Sequence, residues 1–238
     1  MNKTKRLSLQ FTVAVFFLGI AQSAWAGPPL ICHAFDIGGA KSLPFAGGDR
    51  ESGRQWRGVD PNYDLNHLVS DTLELLGPET PVIVRMETMR RAALYAVWAQ
   101  RDRKVGYTVK DDAVARQLFS ALLARARNND GKKIPDSLAW FDAGYLAETY
   151  KQGGLDTGFN GQEMVAKAIG LRGDDPAMEF AAAIMTWDGP ANIHREHLRK
   201  ALAGAQDGSL LARNLVLRFG QQGNTIAELR AHTDALGQ

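Results

Sequence analysis

Only one cysteine, Cys32, occurs among the 238 residues. A lone thiol cannot close an intramolecular disulfide, form a Cys-x-x-Cys redox motif or attach a haem, so the fold must be held by packing. No apolar run beyond residue 26 is long enough to span a bilayer, which takes roughly 20 residues. An excess of either charge is also missing, since 28 Lys and Arg face 26 Asp and Glu. What is present, 45% hydrophobic and 23% charged residues, is the balance of a globular protein and excludes collagen-like and disordered chains.

The first 26 residues have the order of an export signal. Lys3, Lys5 and Arg6 precede an apolar run at 9–20, and Ala24-Trp25-Ala26 supplies a small-x-small cleavage site. The expectation is a cleaved signal peptide at 1–26 and a mature chain that begins at Gly27, in the periplasm or outside a bacterial cell. Ile31 is too large to precede a lipidated cysteine, and the apolar run is too short for an anchor, so no stable membrane anchor after cleavage is expected. Without the segment's three basic residues, 25 basic side chains face 26 acidic ones. That balance lacks the electrostatic footprint of a nucleic-acid binder, and no nucleic-acid partner is expected.

From 27 to 62, Gly38-Gly39, Pro44, Gly47-Gly48, Gly53 and Gly58 break every helical or strand period. Leu30, Ile31, Phe35, Ile37, Leu43, Phe45 and Trp56 are too apolar for a free linker. This stretch is therefore expected to be an extended N-terminal arm packed on the body. Residues 63–238 read as a helical domain of about nine helices without strands. Leu65, Leu68, Val69, Thr72, Leu73 and Leu76 make one buried stripe; Ala115, Leu118, Phe119, Leu122, Leu123 and Ala126 make another. Thr80-Pro81 predicts the start of a helix running to about residue 100. Thr108 with Asp111, Asp136 or Ser137, Asn160 with Glu163, and Asp175-Pro176 predict further starts. Three more helices are expected at 191–205, 209–219 and 225–236.

After residue 135 the helices pair into hairpins that start near 136, 175 and 208, a spacing in the range of helical repeats. The first of these resembles the opening helix of a tetratricopeptide repeat, through Trp140, Gly144, Tyr145 and the Ala-Gly-Tyr-Leu-Ala-Glu-Thr-Tyr run at 143–150. The tyrosine stands three positions early for that motif, and a longer turn at 153–161 displaces Pro176. The resemblance implies a right-handed solenoid of helical hairpins with a face able to hold a peptide or protein, and transfers no catalytic residue. The Gly-Pro-Pro-Leu-Ile-Cys-His string at 27–33, followed by Asp36-Ile37-Gly38 and Lys41-Ser42-Leu43-Pro44, resembles the mature start of certain exported bacterial proteins. That likeness carries no activity.

Few side chains suggest chemistry. His194 and His197, three apart, share a helix face and are the best metal-like pair. His194-Arg195-Glu196-His197 nevertheless misses both zinc-helix motifs by spacing, no third ligand is identifiable, and no metal or other cofactor is expected. Cys32-His33 are neighbours that point to opposite faces of an extended chain. Gly38-Gly39-Ala40-Lys41-Ser42 lacks the glycines and the preceding strand of a phosphate loop. The 156–163 turn lacks the alternating acids of a calcium loop. Arg85, Glu87, Arg90 and Arg91, with Tyr95 and Trp98, lie on one predicted helix, and Glu87 is spaced to pair with Arg90 or Arg91. The simpler reading is a solvated charged face; the alternative is a ligand groove, because arginine and aromatic residues dominate binding hot spots. The candidate ligand-binding residues are Arg85, Arg90, Tyr95, Trp98, His194 and His197. The expected function is non-enzymatic binding of a protein or peptide partner; the alternative is a metal-dependent hydrolase using His194 and His197.

Overall fold

A computed structural model describes residues 30–45, 58–60, 62–98, 101–102, 106–107, 111–129 and 137–235. The expected signal peptide at 1–26, the start at Gly27 and the 46–57 part of the expected arm lie outside them. The described chain is all-α. Its helices are α1 (Leu68–Leu75), α2 (Val82–Ala93), α3 (Asp112–Asn129), α4 (Ser137–Gln152), α5 (Gly161–Arg172), α6 (Pro176–Met185), α7 (Ala191–Gly204), α8 (Leu210–Phe219) and α9 (Ile226–Ala235). The strand pairing among the described residues is a two-residue antiparallel contact of Arg101–Asp102 with Gly106–Tyr107. No described helix is long and apolar enough to cross a membrane.

Local chemistry explains where most helices start. Asp175 accepts from the N–H groups of Ala177 and Met178 ahead of Pro176, and Ser209 accepts from Ala212 N–H. Asn160 Oδ1 accepts from Glu163 N–H, capping α5, while the Asn160 side-chain amide donates to the Glu163 carboxylate. Thr80 behaves otherwise than its sequence suggests. Its hydroxyl donates back to Leu75 C=O at 2.8 Å and closes α1, and Pro81 occupies the N-cap of α2. The helix expected to run on to residue 100 leaves α geometry after Ala93 and continues as a wider π turn at Leu94–Trp98. There Ala96 C=O accepts from Asp111 N–H, joining the turn to the start of α3.

The predicted stripe of α3 is buried along its whole length, from Ala115 to Ala126. α4 pairs with α5 and α6 with α7, α9 packs on both α7 and α8, and α4 also packs on α3. In addition α2 touches α4 and α6, α4 touches α6, and α6 touches α8. Residues 30–45 form neither helix nor strand and lie against this row. Leu30, Ile31, Cys32, Phe35 and Leu43 belong to the same continuous core as the helices. Phe35 meets Phe180 of α6 edge-on at 6.2 Å, and Phe180 meets Phe219 of α8 at 6.4 Å.

α4 approaches α5 closely through two glycines. A Cβ on Gly144 would fall 2.7 Å from Met164 Cβ and 2.8 Å from Gly161 C=O, and one on Gly161 would collide with the Gly144 carbonyl. Gly144→Ala is therefore expected to destabilise the protein by about 1–3 kcal/mol, as overpacking does. Denaturant melts of the variant and the parent measure it.

Candidate functional site

The charged side chains of α2 are not a solvated face. Arg85, Glu87 and Arg90 are each at most 1% exposed, because α1, α4 and residues 30–45 enclose the helix. Buried charges need partners, and each has found one. Arg85 donates from Nη1 to Asp142 of α4 at 2.5 Å, from Nε to Thr80 C=O at 2.9 Å, and from Nη2 to Gly77 C=O. It braces the α1–α2 turn against α4 and contributes nothing to a groove.

Glu87 collects four donors. Oε1 accepts from Arg90 Nη2 and Arg91 Nε, each at 2.7 Å; Oε2 accepts from Arg90 Nε at 2.7 Å and from the main-chain N–H of Phe35 at 3.0 Å. Burial alone would raise its pKa, but the charge and hydrogen bonds of Arg90, then Arg91 and the Phe35 N–H, hold it below the ordinary carboxylate value. Arg90 also donates to Ile31 C=O at 3.2 Å, and Arg91 to Leu43 C=O at 2.6 Å. Both guanidinium groups lie over the Phe45 ring. Tyr95 donates to Pro44 C=O and accepts from Asp60 N–H, both at 2.9 Å.

α8 grips the same segment from the other side. Asn214, fully buried, accepts from Asp36 N–H at 2.9 Å and donates to Asp36 C=O at 2.7 Å. Arg213 donates to the Asp36 carboxylate at 2.6 Å, and that bond, with the Gly38 N–H, lowers the pKa of Asp36. Arg218 donates to His33 C=O and lies 4.4 Å from the Phe35 ring centre. Burial lowers its pKa to about 10. From α4, Gln152 accepts from Leu30 N–H at 2.8 Å. The segment thus runs out to α8, reverses at Gly38, whose φ of +59° suits glycine, and returns to α2. The Gly38–Ser42 stretch is the return of this turn, and residues 43–45 directly behind it are not the helix that a phosphate loop requires.

The six candidates from sequence do not make one site. Arg90 and Tyr95 both hold the 30–45 segment, Arg85 faces Asp142, and the Trp98 side chain lies outside the described residues. His194 Nδ1 is 2.8 Å from Ala183 C=O, and its ring meets Trp187 at 5.1 Å and Phe219 at 6.1 Å. His197 Nδ1 is instead 2.5 Å from the buried Glu179 carboxylate, which Lys200 also approaches at 3.2 Å. The two imidazoles are thus engaged by different partners, and no group of three His, Cys, Asp or Glu able to hold a metal is gathered among the described residues. His197 also opens on a cleft of about 240 Å³ between α5, α6 and α7, walled by Val165, Met185 and Ile193 with Gln162 and Thr186.

Sequence reasoning passed over Asn214, Arg213, Arg218 and Gln152. One signal was available: Leu211, Asn214, Leu215, Arg218 and Phe219 lie at helical spacing, so two polar residues interrupt an apolar stripe. No family model, curated protein or solved structure matches the chain.

Burial, with the charges of Arg218 and Arg90, lowers the His33 pKa from 6.5 to about 4. Burial lowers that of His194 as well. As pH falls from 6.5 toward 4, the unfolded chain takes up a proton that folded His33 refuses, so stability present at neutral pH is lost over this window. Thermal melts across it should show a falling Tm, and His33→Gln, which removes the titrating ring, should flatten that fall.

Proposed function

We propose that the chain is an exported, non-enzymatic helical-repeat protein, a right-handed tetratricopeptide-like solenoid, whose α2–α4–α6–α8 face binds extended protein or peptide segments. One observation carries the reading. Side chains of this face hold the non-helical 30–45 segment by its main chain, most tellingly where the Asn214 amide takes both the N–H and the C=O of Asp36. Contacts to main-chain atoms recognise the extended shape of a chain, and pockets for alternate side chains then select among sequences. Glu87, Arg90, Arg91, Tyr95 and Arg218 repeat the pattern along the row. Export is supported by the basic start, apolar run and small-x-small site ahead of Gly27.

A random-peptide display selection tests the reading. The target is a chain in which Phe35→Leu with Asp36→Ala weakens the hold on residues 30–45 and leaves the face accessible. Selected peptides should bind about tenfold or more weakly when Asn214→Ala is added, the loss expected when two hydrogen bonds go. Peptides that bind equally well without Asn214, or a selection that yields none, would overturn it.

A further inference from the structure

The cleft of about 240 Å³ between α5, α6 and α7 is lined by none of the residues that hold the 30–45 segment. Its walls are apolar, with Val165 from α5, Ala182 and Met185 from α6 and Ile193 from α7. Ile193 is 42% exposed, although it is a large apolar side chain. Polar groups stand at both ends. At one, Gln162 donates from Nε2 to Met185 C=O at 3.1 Å; at the other, His197 meets Glu179. Met185 and Glu179 are six residues apart on α6, which places the two ends about 9 Å apart at a rise of 1.5 Å per residue.

Glu179 is fully buried, and a buried carboxylate is costly unless its oxygens are engaged. Oε2 takes His197 Nδ1 at 2.5 Å, and Lys200 Nζ lies 3.2 Å from Oε1. An ionised carboxylate only accepts, so Nδ1 carries the proton and the carboxylate sets the orientation of the ring. Nε2 is then the nitrogen left to a ligand, and the ring that bears it lines the cleft with its side chain 24% exposed. In the neutral ring Nε2 accepts; in the imidazolium it donates. A hydroxyl answers both states, because it donates and accepts. A carboxylate answers only the charged ring, and would also meet Glu163 on the α5 wall. An ammonium answers only the neutral ring, and would approach Lys200 beside it. Size sets the rest of the ligand: an apolar cavity of about 150 Å³ takes up benzene, so this cleft has room for one ring with a short substituent.

We infer that the cleft binds a small uncharged molecule with a ring-sized apolar body and one hydroxyl. The hydroxyl bonds His197 Nε2, and the body lies on Val165, Ala182, Met185 and Ile193. Glu179 positions the imidazole and Lys200 engages the other carboxylate oxygen. This site is separate from the peptide-binding face and does not rest on that reading.

The probe is para-ethylphenol, titrated into the purified chain while the methyl signals of Met185 and Ile193 and the ring signals of His197 are followed by NMR. Saturable shifts at all three residues are expected, with a Kd of about 1 mM or tighter for a ligand of this size. Ethylbenzene, which has the body without the hydroxyl, should bind about threefold to tenfold more weakly, the effect of one hydrogen bond. His197→Phe keeps a ring and removes Nε2, and should bind the two probes alike. Ala166→Phe, at an exposed position on the cleft wall, should remove binding of both without touching the His197–Glu179 pair. Circular dichroism melts check the fold of each variant, and the comparison of the two probes on the parent chain needs no variant. Absence of saturable shifts at Met185, Ile193 and His197 would overturn the site. Equal binding of the two probes by the parent, an unchanged preference in folded His197→Phe, or tighter binding of para-ethylbenzoate or para-ethylbenzylamine than of para-ethylphenol would overturn the hydroxyl on His197. None of these outcomes bears on peptide binding by the other face.

Discussion

The buried carboxylate of Glu87 is the interaction on which the rest of the structure depends. Taking an ionised carboxylate out of water costs several kcal/mol, and the cost is offset only when its lone pairs are filled and an opposite charge lies near. Arg90 and Arg91, three and four residues on along α2, fill three positions, and the fourth is filled by the Phe35 N–H from another part of the chain. The helix alone therefore leaves this charge incompletely satisfied. The requirement runs both ways, because Arg90 and Arg91 need further acceptors, and the Ile31 and Leu43 carbonyls provide them. Glu87 thereby ties the non-helical segment to α2, and Asn214 and Arg218 tie the same segment to α8.

This tie supplies something the helices lack. Neighbours in the row touch in chain order, α2 to α4 to α6 to α8, with the Arg85–Asp142 ion pair between the first two. Residues 30–45 span the row, linking positions as far apart in sequence as His33 and Arg218. Such nonlocal contacts form late and at an entropic cost, because a long loop must close before they are made. In return they fix how far the ends of the row stand apart. The aromatic series Phe35, Phe180, Phe219 and Trp187 extends the segment's reach to the turn after α6, where His194 packs.

The helices were legible because their signals are local. Stripes at helical spacing located the buried side of α3, and the acids and amides at 111, 160 and 175 marked helix starts. Thr80 misled because a threonine hydroxyl has two uses near a helix, and here it serves the carbonyl behind it. The spacing of Glu87 to Arg90 and Arg91 identified the ion pairs, yet not their burial. That burial depends on a strand of chain some 50 residues earlier, and no period in α2 records its presence. Asn214 was hidden for the same reason: its partner is 178 residues away, and only its intrusion into an apolar stripe marked it. The His194–His197 pair shows the converse limit, because shared helical spacing places two rings on one side without deciding that they meet one another rather than Ala183 and Glu179.

Native-state hydrogen exchange of two main-chain amides tests the central claim most directly. The N–H groups of Phe35 and Asp36 end on Glu87 and Asn214 and on no regular secondary structure, so their protection reports those side chains alone. If Glu87 and Asn214 hold the segment as an integral part of the fold, both amides should exchange on the timescale of the buried amides of α4, through opening of the whole domain. Exchange of Phe35 and Asp36 at the rate of an unstructured chain, with α4 still protected, would contradict it.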